Sequence, residues 1–301
     1  MSDFASRLIA WQKSHGRHDL PWQNTRDPYR IWVSEIMLQQ TQVATVIPYY
    51  QRFMAHFPSI ASLAAADEEA VLTHWSGLGY YARARNLHAA ARQIVAAHQG
   101  GFPDAIEAIT ALPGIGPSTA AAIAAFAFGV RGAILDGNVK RVLTRCFGIE
   151  GFPGDKAVEA KLWALAESLL PDAEIERYTQ GLMDLGATLC TRAQPRCGDC
   201  PLSEQCVARR DDRIAHLPTP KLKKMIPERA TVMLILRRGN EVLLQKRPAK
   251  GIWGGLWSFP EVAPEAVLNN HLQTHFGVQA ARVASMPPLV HTFTHFRLTI
   301  R

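Results

Sequence analysis

For its first 207 residues the chain carries apolar residues at helical spacing and no alternating strand pattern. "VLTHWSGLGYYARARNLHAAARQIVAAH" (71–98) keeps that spacing around an internal Gly-Leu-Gly break. "DKAVEAKLWALAESLL" (155–170) is amphipathic and stops before Pro171, where helices tend to end. The character changes after Cys206. "VARRDDRIAHLPTPKLKKMIPE" is charged, holds three prolines and lacks periodicity, as a linker does. Beyond it "ATVMLILRRGNEVLLQKR" reads as two apolar strands about a Gly239-Asn240 turn, with "GLWSFPEV" and "HTFTHFRLTIR" as further short strands. The pattern predicts a helical domain over 1–207, a linker over 208–228 and a β-containing domain over 229–301. That second domain is short and the sequence ends inside an apparent strand, "FRLTIR", so it is either unusually small or truncated.

Two domains suit a length of 301 residues. A formal charge of +7 suits a polyanionic partner. No run approaches the ~18 apolar residues of a membrane span. The N-terminal "MSDFASRLIAWQKSHGRHDLPW" lacks the apolar stretch of a secretory leader. The expectation is a cytoplasmic protein without a membrane partner.

"LPGIG" (112–116) has the form of a helix-hairpin-helix turn. Gly114 and Gly116 allow a close backbone approach. The helix from Pro117 opens with N–H groups and a positive dipole end that suit one phosphate. A plain corner between two helices is the alternative. Four of the five cysteines form Cys190-x6-Cys197-x2-Cys200-x5-Cys206. Tight clustering and an odd count favour a metal centre over disulfides. The spacing admits a 4Fe-4S cluster, a zinc ion or unligated thiols. Arg192 and Arg196 lie in the loop between the first two of these cysteines and suit a second phosphate; Cys146 sits at helical spacing, as a core residue does.

Two carboxylates stand out. Glu35 in "YRIWVSEIMLQQTQV" has Ile31, Trp32 and Leu38 on its own helix face. That setting raises a carboxyl pKa and suits a general acid, the alternative being a surface or Arg-paired glutamate. Asp136 in "AILDGNVKRVL" reads as a helix N-cap that can also point an oxygen into a cleft. Two carboxylates in different settings suit glycoside-type chemistry: one protonates the leaving group, the other stabilises the sugar cation.

Together "LPGIGPSTAAAI", "ILDGNVKRVLTR", "SEIMLQQTQVATVIPYY", "GLGYYARARNLH" and the cysteine spacing resemble the MutY-type adenine DNA glycosylases. These belong to the helix-hairpin-helix DNA glycosylase superfamily that includes endonuclease III. The resemblance runs from about residue 5 to 207 and more weakly beyond. It implies a mainly α glycosylase domain with an Fe–S loop over 190–206, plus an α+β Nudix-like C-terminal domain. It implies base excision repair: adenine opposite 8-oxoguanine or guanine in double-stranded DNA is flipped out and hydrolysed from its sugar, by a monomer at the nucleoid. Glu35 matches the acid, Asp136 the cation-stabilising carboxylate and Asn138 a polar organiser. Gln40 and Tyr80 match residues wedged into the duplex; Leu112, Gly114, Gly116, Ser118, Arg192 and Arg196 fall where DNA is contacted. Cys190, Cys197, Cys200 and Cys206 would hold a 4Fe-4S cluster. "RPAKGIWGGLWSFPE" is the clearest Nudix-like match, and Phe293, Thr294 and His295 fall where 8-oxoguanine is recognised. The family commonly has Phe-Ser-His there, and its domain runs some tens of residues further, so lesion discrimination is expected to be weakened or differently built.

Three rivals bear on the same residues. An endonuclease III-like bifunctional glycosylase/lyase needs an amine where this chain has Ser118, and no lysine occurs between 99 and 139, although Lys140 follows. A non-catalytic Fe–S DNA-binding protein would not need Glu35. A pyrophosphohydrolase would need glutamates that "VLNNHLQTHFGV" lacks.

Overall fold

The computed structural model describes residues 3–222, 225–248, 251–293 and 295–301. Contacts divide the chain into Met1–Lys221 and Leu222–Arg301. The first unit is helical: α1 (Asp3–His15), α2 (Pro28–Leu38), α3 (Val43–His56), α4 (Ile60–Ala65), α5 (Glu68–Trp75), α6 (Ala82–His98), α7 (Ile106–Thr110), α8 (Pro117–Phe128), α9 (Gly137–Phe147), α10 (Lys156–Ser168), α11 (Ile175–Asp184) and α12 (Val207–Arg210). The Gly-Leu-Gly break falls between α5 and α6. The contact division lies inside the stretch read as a linker. Its first part folds as α12, and Leu217 is buried, its carbonyl accepting a bond from Arg145 Nε at 2.8 Å.

The N-terminal helix shares a core with the C-terminal helices of this unit. Phe4 and Leu8 of α1 pack with Ala121 and Ala125 of α8, Val139 and Leu143 of α9, Leu162 of α10 and Tyr178 and Leu182 of α11. Alanines make α8 a slender helix, buried on most of its surface, that also packs against α2. The intervening helices bury Trp32, Phe53, Trp75, Leu87 and Ile94. α2 packs against α8, and Ser118 of α8 accepts a bond from Leu135 N–H just before α9, which ties both elements to the same helix.

α11 runs on into a π-helical turn, Leu185–Leu189, that delivers the chain to Cys190. The turn passes close to α9. A Cβ on Gly186 would lie 2.5 Å from Asn138 Cβ. Glycine here is a packing requirement, since nothing larger fits without moving the start of α9.

The second unit is α+β. A four-stranded sheet has the order β6-β1-β8-β7, from β1 (Glu228–Met233), β6 (Glu261–Val262), β7 (Leu289–Thr292) and β8 (Arg297–Ile300). β1 runs parallel to β8, pairing Thr231 with Ile300, and antiparallel to β6, pairing Val232 with Val262. β7 and β8 form a hairpin with His291 opposite Leu298. The Gly239-Asn240 turn joins β2 (Arg237–Arg238) to β3 (Glu241–Val242), and β4 (Gln245–Lys246) pairs with β5 (Trp257–Ser258). The apolar run after Ala230 is thus divided among short strands. Leu272 of α13 (Leu268–Phe276) closes a small core with Leu234 and Val262.

Gly186→Ala is expected to destabilise the protein by about 1–3 kcal/mol through overpacking against Asn138. Thermal unfolding measures it, and an unchanged melting temperature would show that α9 can yield.

Candidate active site

Glu35 is half-buried on α2, between Ser34 and Ile36, both almost fully buried. Its helix starts at Asp27, whose side chain accepts a bond from Tyr29 N–H, with Pro28 in the first turn. Loss of hydration raises the Glu35 carboxyl from the ordinary value of 4.5 to about 8, and the Asp136 charge adds to the shift. Asp136 caps α9: one oxygen accepts a bond from Val139 N–H at 2.8 Å, and the other faces Asn138 Nδ2 at 3.4 Å. Arg141 Nη2 in turn donates to Asn138 Oδ1 at 2.8 Å. The structure therefore brings Glu35, Asp136 and Asn138 into one neighbourhood.

A cleft of about 250 Å³ opens beside Glu35, lined by Arg17, His18, Trp22, Gln23, Glu176 and Gln180 among others. Sequence reasoning missed these residues. The key to them is Asp184, 1% exposed, which accepts bonds from Arg17 N–H (2.8 Å), Arg17 Nε (2.7 Å) and Gln180 Nε2 (2.8 Å). Asp184 lies in the apolar stretch "GLMDLGATL", the same signal that singled out Glu35. Together these side chains offer one flat aromatic face and several donors and acceptors.

The hairpin keeps its turn. Gly114 has φ +79, and a Cβ there would lie 2.7 Å from Asn86 Cβ. α8 begins at Gly116 with no side-chain cap and Pro117 in its first turn, leaving its N-terminus facing outward. Leu112 is 2% exposed, its side chain packed inside the protein, so any contact it makes with a duplex is through the backbone of the turn. Ser118 Oγ accepts a bond from Leu135 N–H at 2.9 Å, which ties α8 to the residue preceding Asp136. Gln40 and Tyr80 are exposed, and both are non-glycine residues in the left-handed region, with φ of 56 and 50.

The four cysteines line one small cavity with Leu189, Pro195 and Ile214. Among the described residues no group of three or more His, Cys, Asp or Glu side chains is arranged to hold a single metal ion. α9 holds the loop. Arg141 Nε donates to Cys190 O at 2.7 Å, and Arg145, 3% exposed, donates to Thr191 O at 2.7 Å and Arg192 O at 3.1 Å. Burial pushes the Cys200 thiol up to about 11 and raises that of Cys206 as well. Arg192 and Arg196 are exposed, the latter 3.8 Å from Asp199. Cys146 is buried in the helical core.

In the second unit the ring of Phe293 lies 4.6 Å from Phe296 and 5.7 Å from Trp253. His295 stands next to this cluster, its ring 5.5 Å from Phe296, and Thr294 lies outside the described residues.

The fold and this carboxylate pair define a base-excision glycosylase of the helix-hairpin-helix class. Residues 33–168 match the HhH-GPD superfamily of base excision DNA repair proteins, and 231–301 match the NUDIX domain. The adenine DNA glycosylase of Buchnera aphidicola subsp. Acyrthosiphon pisum is 39% identical over 99% of this chain and 85% of its own length. The Homo sapiens adenine DNA glycosylase is 34% identical over 98% of this chain and 65% of its own. The chain belongs to the adenine DNA glycosylase family. A thermostable thymine-DNA glycosylase structure matches with a TM-score of 0.63 and 31% identity, over 69% of this chain and 95% of that one. A non-covalent endonuclease III–DNA complex matches with a TM-score of 0.59 and 21% identity, over 69% of this chain and 94% of that one, a likeness of fold alone. No helix among the described residues is long and apolar enough to cross a membrane.

Between pH 4.5 and about 8 the folded chain holds the Glu35 proton and the unfolded chain does not, so stability falls as pH rises across that window. Glu35→Gln removes the titration. Its melting temperature is expected to gain on the native chain by several degrees from about pH 5 to about pH 9. A constant gap would contradict the shift.

Proposed function

We propose that this enzyme hydrolyses adenine from double-stranded DNA where it is mispaired with 8-oxoguanine or guanine, acting as a monomer and leaving the strand intact. The observation that carries this reading is the Glu35–Asp136 pair. Glu35, protonated at neutral pH, donates its proton to a ring nitrogen of the extruded adenine. The base then leaves neutral. The sugar is left with oxocarbenium character, and the Asp136 carboxylate, fixed by its cap bond to Val139, stabilises that charge. Asn138 helps hold the Asp136 carboxylate in place. Trp22 offers the extruded base an aromatic face, and Arg17 and Gln180, both anchored by Asp184, offer hydrogen bonds to its edge. Water completes the hydrolysis.

Two observations among the described residues support hydrolysis over lyase chemistry. Ser118 is engaged with Leu135, and Lys140 Nζ is paired with Glu159 at 2.5 Å. DNA is held by the backbone at Gly114 and Gly116, by Arg192 and Arg196, and by Gln40 and Tyr80 entering the duplex. The second unit reads 8-oxoguanine through Phe293, Thr294 and His295.

The four cysteines suit a 4Fe-4S cluster better than one zinc ion. Zinc draws its thiolates to about 2.3 Å, whereas these line a cavity without converging on a point. Thiols raised by burial ligate only beside a strong positive charge, which the iron of such a cluster would supply, as zinc would. When bound, the cluster braces the loop bearing Arg192 and Arg196.

Glu35→Gln is expected to lower single-turnover adenine release about a thousandfold or more while duplex binding persists. Near-native release would remove Glu35 from the acid role. Cys197→Ser is expected to lose iron and melt at a lower temperature; unaltered melting without iron would contradict a bracing cluster.

A further inference from the structure

Arg83 is 8% exposed and makes no ion pair among the described residues; its guanidinium is given over to backbone carbonyls and one threonine hydroxyl. Nη1 donates to the carbonyls of Ile36 (3.0 Å), Met37 (2.8 Å) and Gln39 (2.6 Å). Nη2 donates to Thr41 Oγ1 (3.1 Å) and to the carbonyls of Gly79 (3.1 Å) and Leu78 (3.5 Å). The planar group lies 5.4 Å from the Trp75 ring and 5.5 Å from the Tyr80 ring. The carbonyls of Ile36 and Met37 are those a helix C-terminus leaves without partners, where a cation is favoured.

The other two main carbonyls have a different significance. Gln39 O belongs to the peptide that joins Gln40, and Gly79 O to the peptide that joins Tyr80. These peptides set φ at Gln40 and Tyr80, both left-handed at 56 and 50. Such a conformation is costly for a non-glycine residue and persists only where its surroundings hold it. One guanidinium grips both.

We infer that Arg83 is a positioning residue that sets Gln40 and Tyr80 in mutual register, so that the two enter a duplex as a pair from opposite loops. The inference rests on the reading of Gln40 and Tyr80 as residues that enter DNA. Lysine keeps the charge but loses the planar fork, and one ammonium cannot hold both peptides in this way.

The test uses the full chain in a Glu35→Gln background, so that no base is released. The probe is a duplex with 2-aminopurine beside adenine mispaired with 8-oxoguanine, whose fluorescence reports unstacking. Arg83→Lys is expected to retain its iron and its affinity for matched duplex, while unstacking and the preference for mispaired over matched DNA fall about tenfold or more. Gln40→Ala/Tyr80→Ala should show the same loss, and adding Arg83→Lys to that pair should cost nothing further. Thr41→Val, which removes one acceptor of Arg83 together with the hydroxyl's own bond to Gln39 O at 3.3 Å and leaves Arg83 in place, should give a smaller loss of the same kind and decides the matter if Arg83→Lys does not fold. Retained unstacking in Arg83→Lys, or in Thr41→Val where Arg83→Lys does not fold, would overturn the inference. So would a further loss on top of the double variant, or an equal loss of matched and mispaired binding. Retained unstacking in Gln40→Ala/Tyr80→Ala would instead overturn the reading of those two residues.

Discussion

The first turn of α9 carries the connections on which the site depends. Asp136 caps it, Asn138 lies within it, and Arg141 follows one turn later. Arg141 spans three elements, donating to Asn138 Oδ1, to Gly186 O in the π-helical turn and to Cys190 O at the mouth of the cysteine loop. From the other side Ser118 holds Leu135 N–H, which fastens the hairpin helix to the same turn. The hairpin, the second carboxylate and the cysteine loop are thus linked by side chains that reach backbone. A site assembled from distant parts of the chain needs such links. Misplacing a catalytic group by about 1 Å can cost a hundredfold in rate.

The chemistry follows from how differently the two carboxyl groups are supported. Glu35 comes from a helix whose neighbouring side chains are apolar, and its cost of ionisation is set by lost hydration and by the charge opposite. Asp136 is met by donors, the N–H of Val139 and the amide of Asn138. On the proposed reading, one group keeps a proton to give at neutral pH and the other presents negative charge to a developing cation. The fold achieves this by seating α2 on the alanine-rich α8 and by tying Leu135, just before α9, to Ser118 of the same helix.

Much of this was legible in the sequence. The loss of helical spacing after Cys206 marks the passage from a helical unit to an α+β unit, and "DGNV" marks the cap at Asp136. The three apolar neighbours of Glu35 announce its desolvation. These are local signals, carried by period, turn residues and caps. Other features depend on contacts across long stretches of chain. Leu112 looked like part of a surface hairpin, but the core claims its side chain. The hydroxyl of Ser118 is taken up by Leu135, 17 residues away. Arg83, within a polar helix start, gives no hint that it gathers carbonyls from two loops. In the second unit "LNNHLQTHF" forms the helix α13, with Leu268, Leu272 and Phe276 four residues apart.

The central claim is that the enzyme uses a protonated glutamate and a carboxylate to release adenine without a covalent amine intermediate. Single-turnover cleavage of duplexes bearing A:8-oxoguanine, A:G and thymine glycol, each scored for strand scission with and without alkali, tests it most directly. Adenine release from the first two, with strand breakage only after alkali, is the result this structure predicts. Scission without alkali, or a preference for thymine glycol, would contradict it.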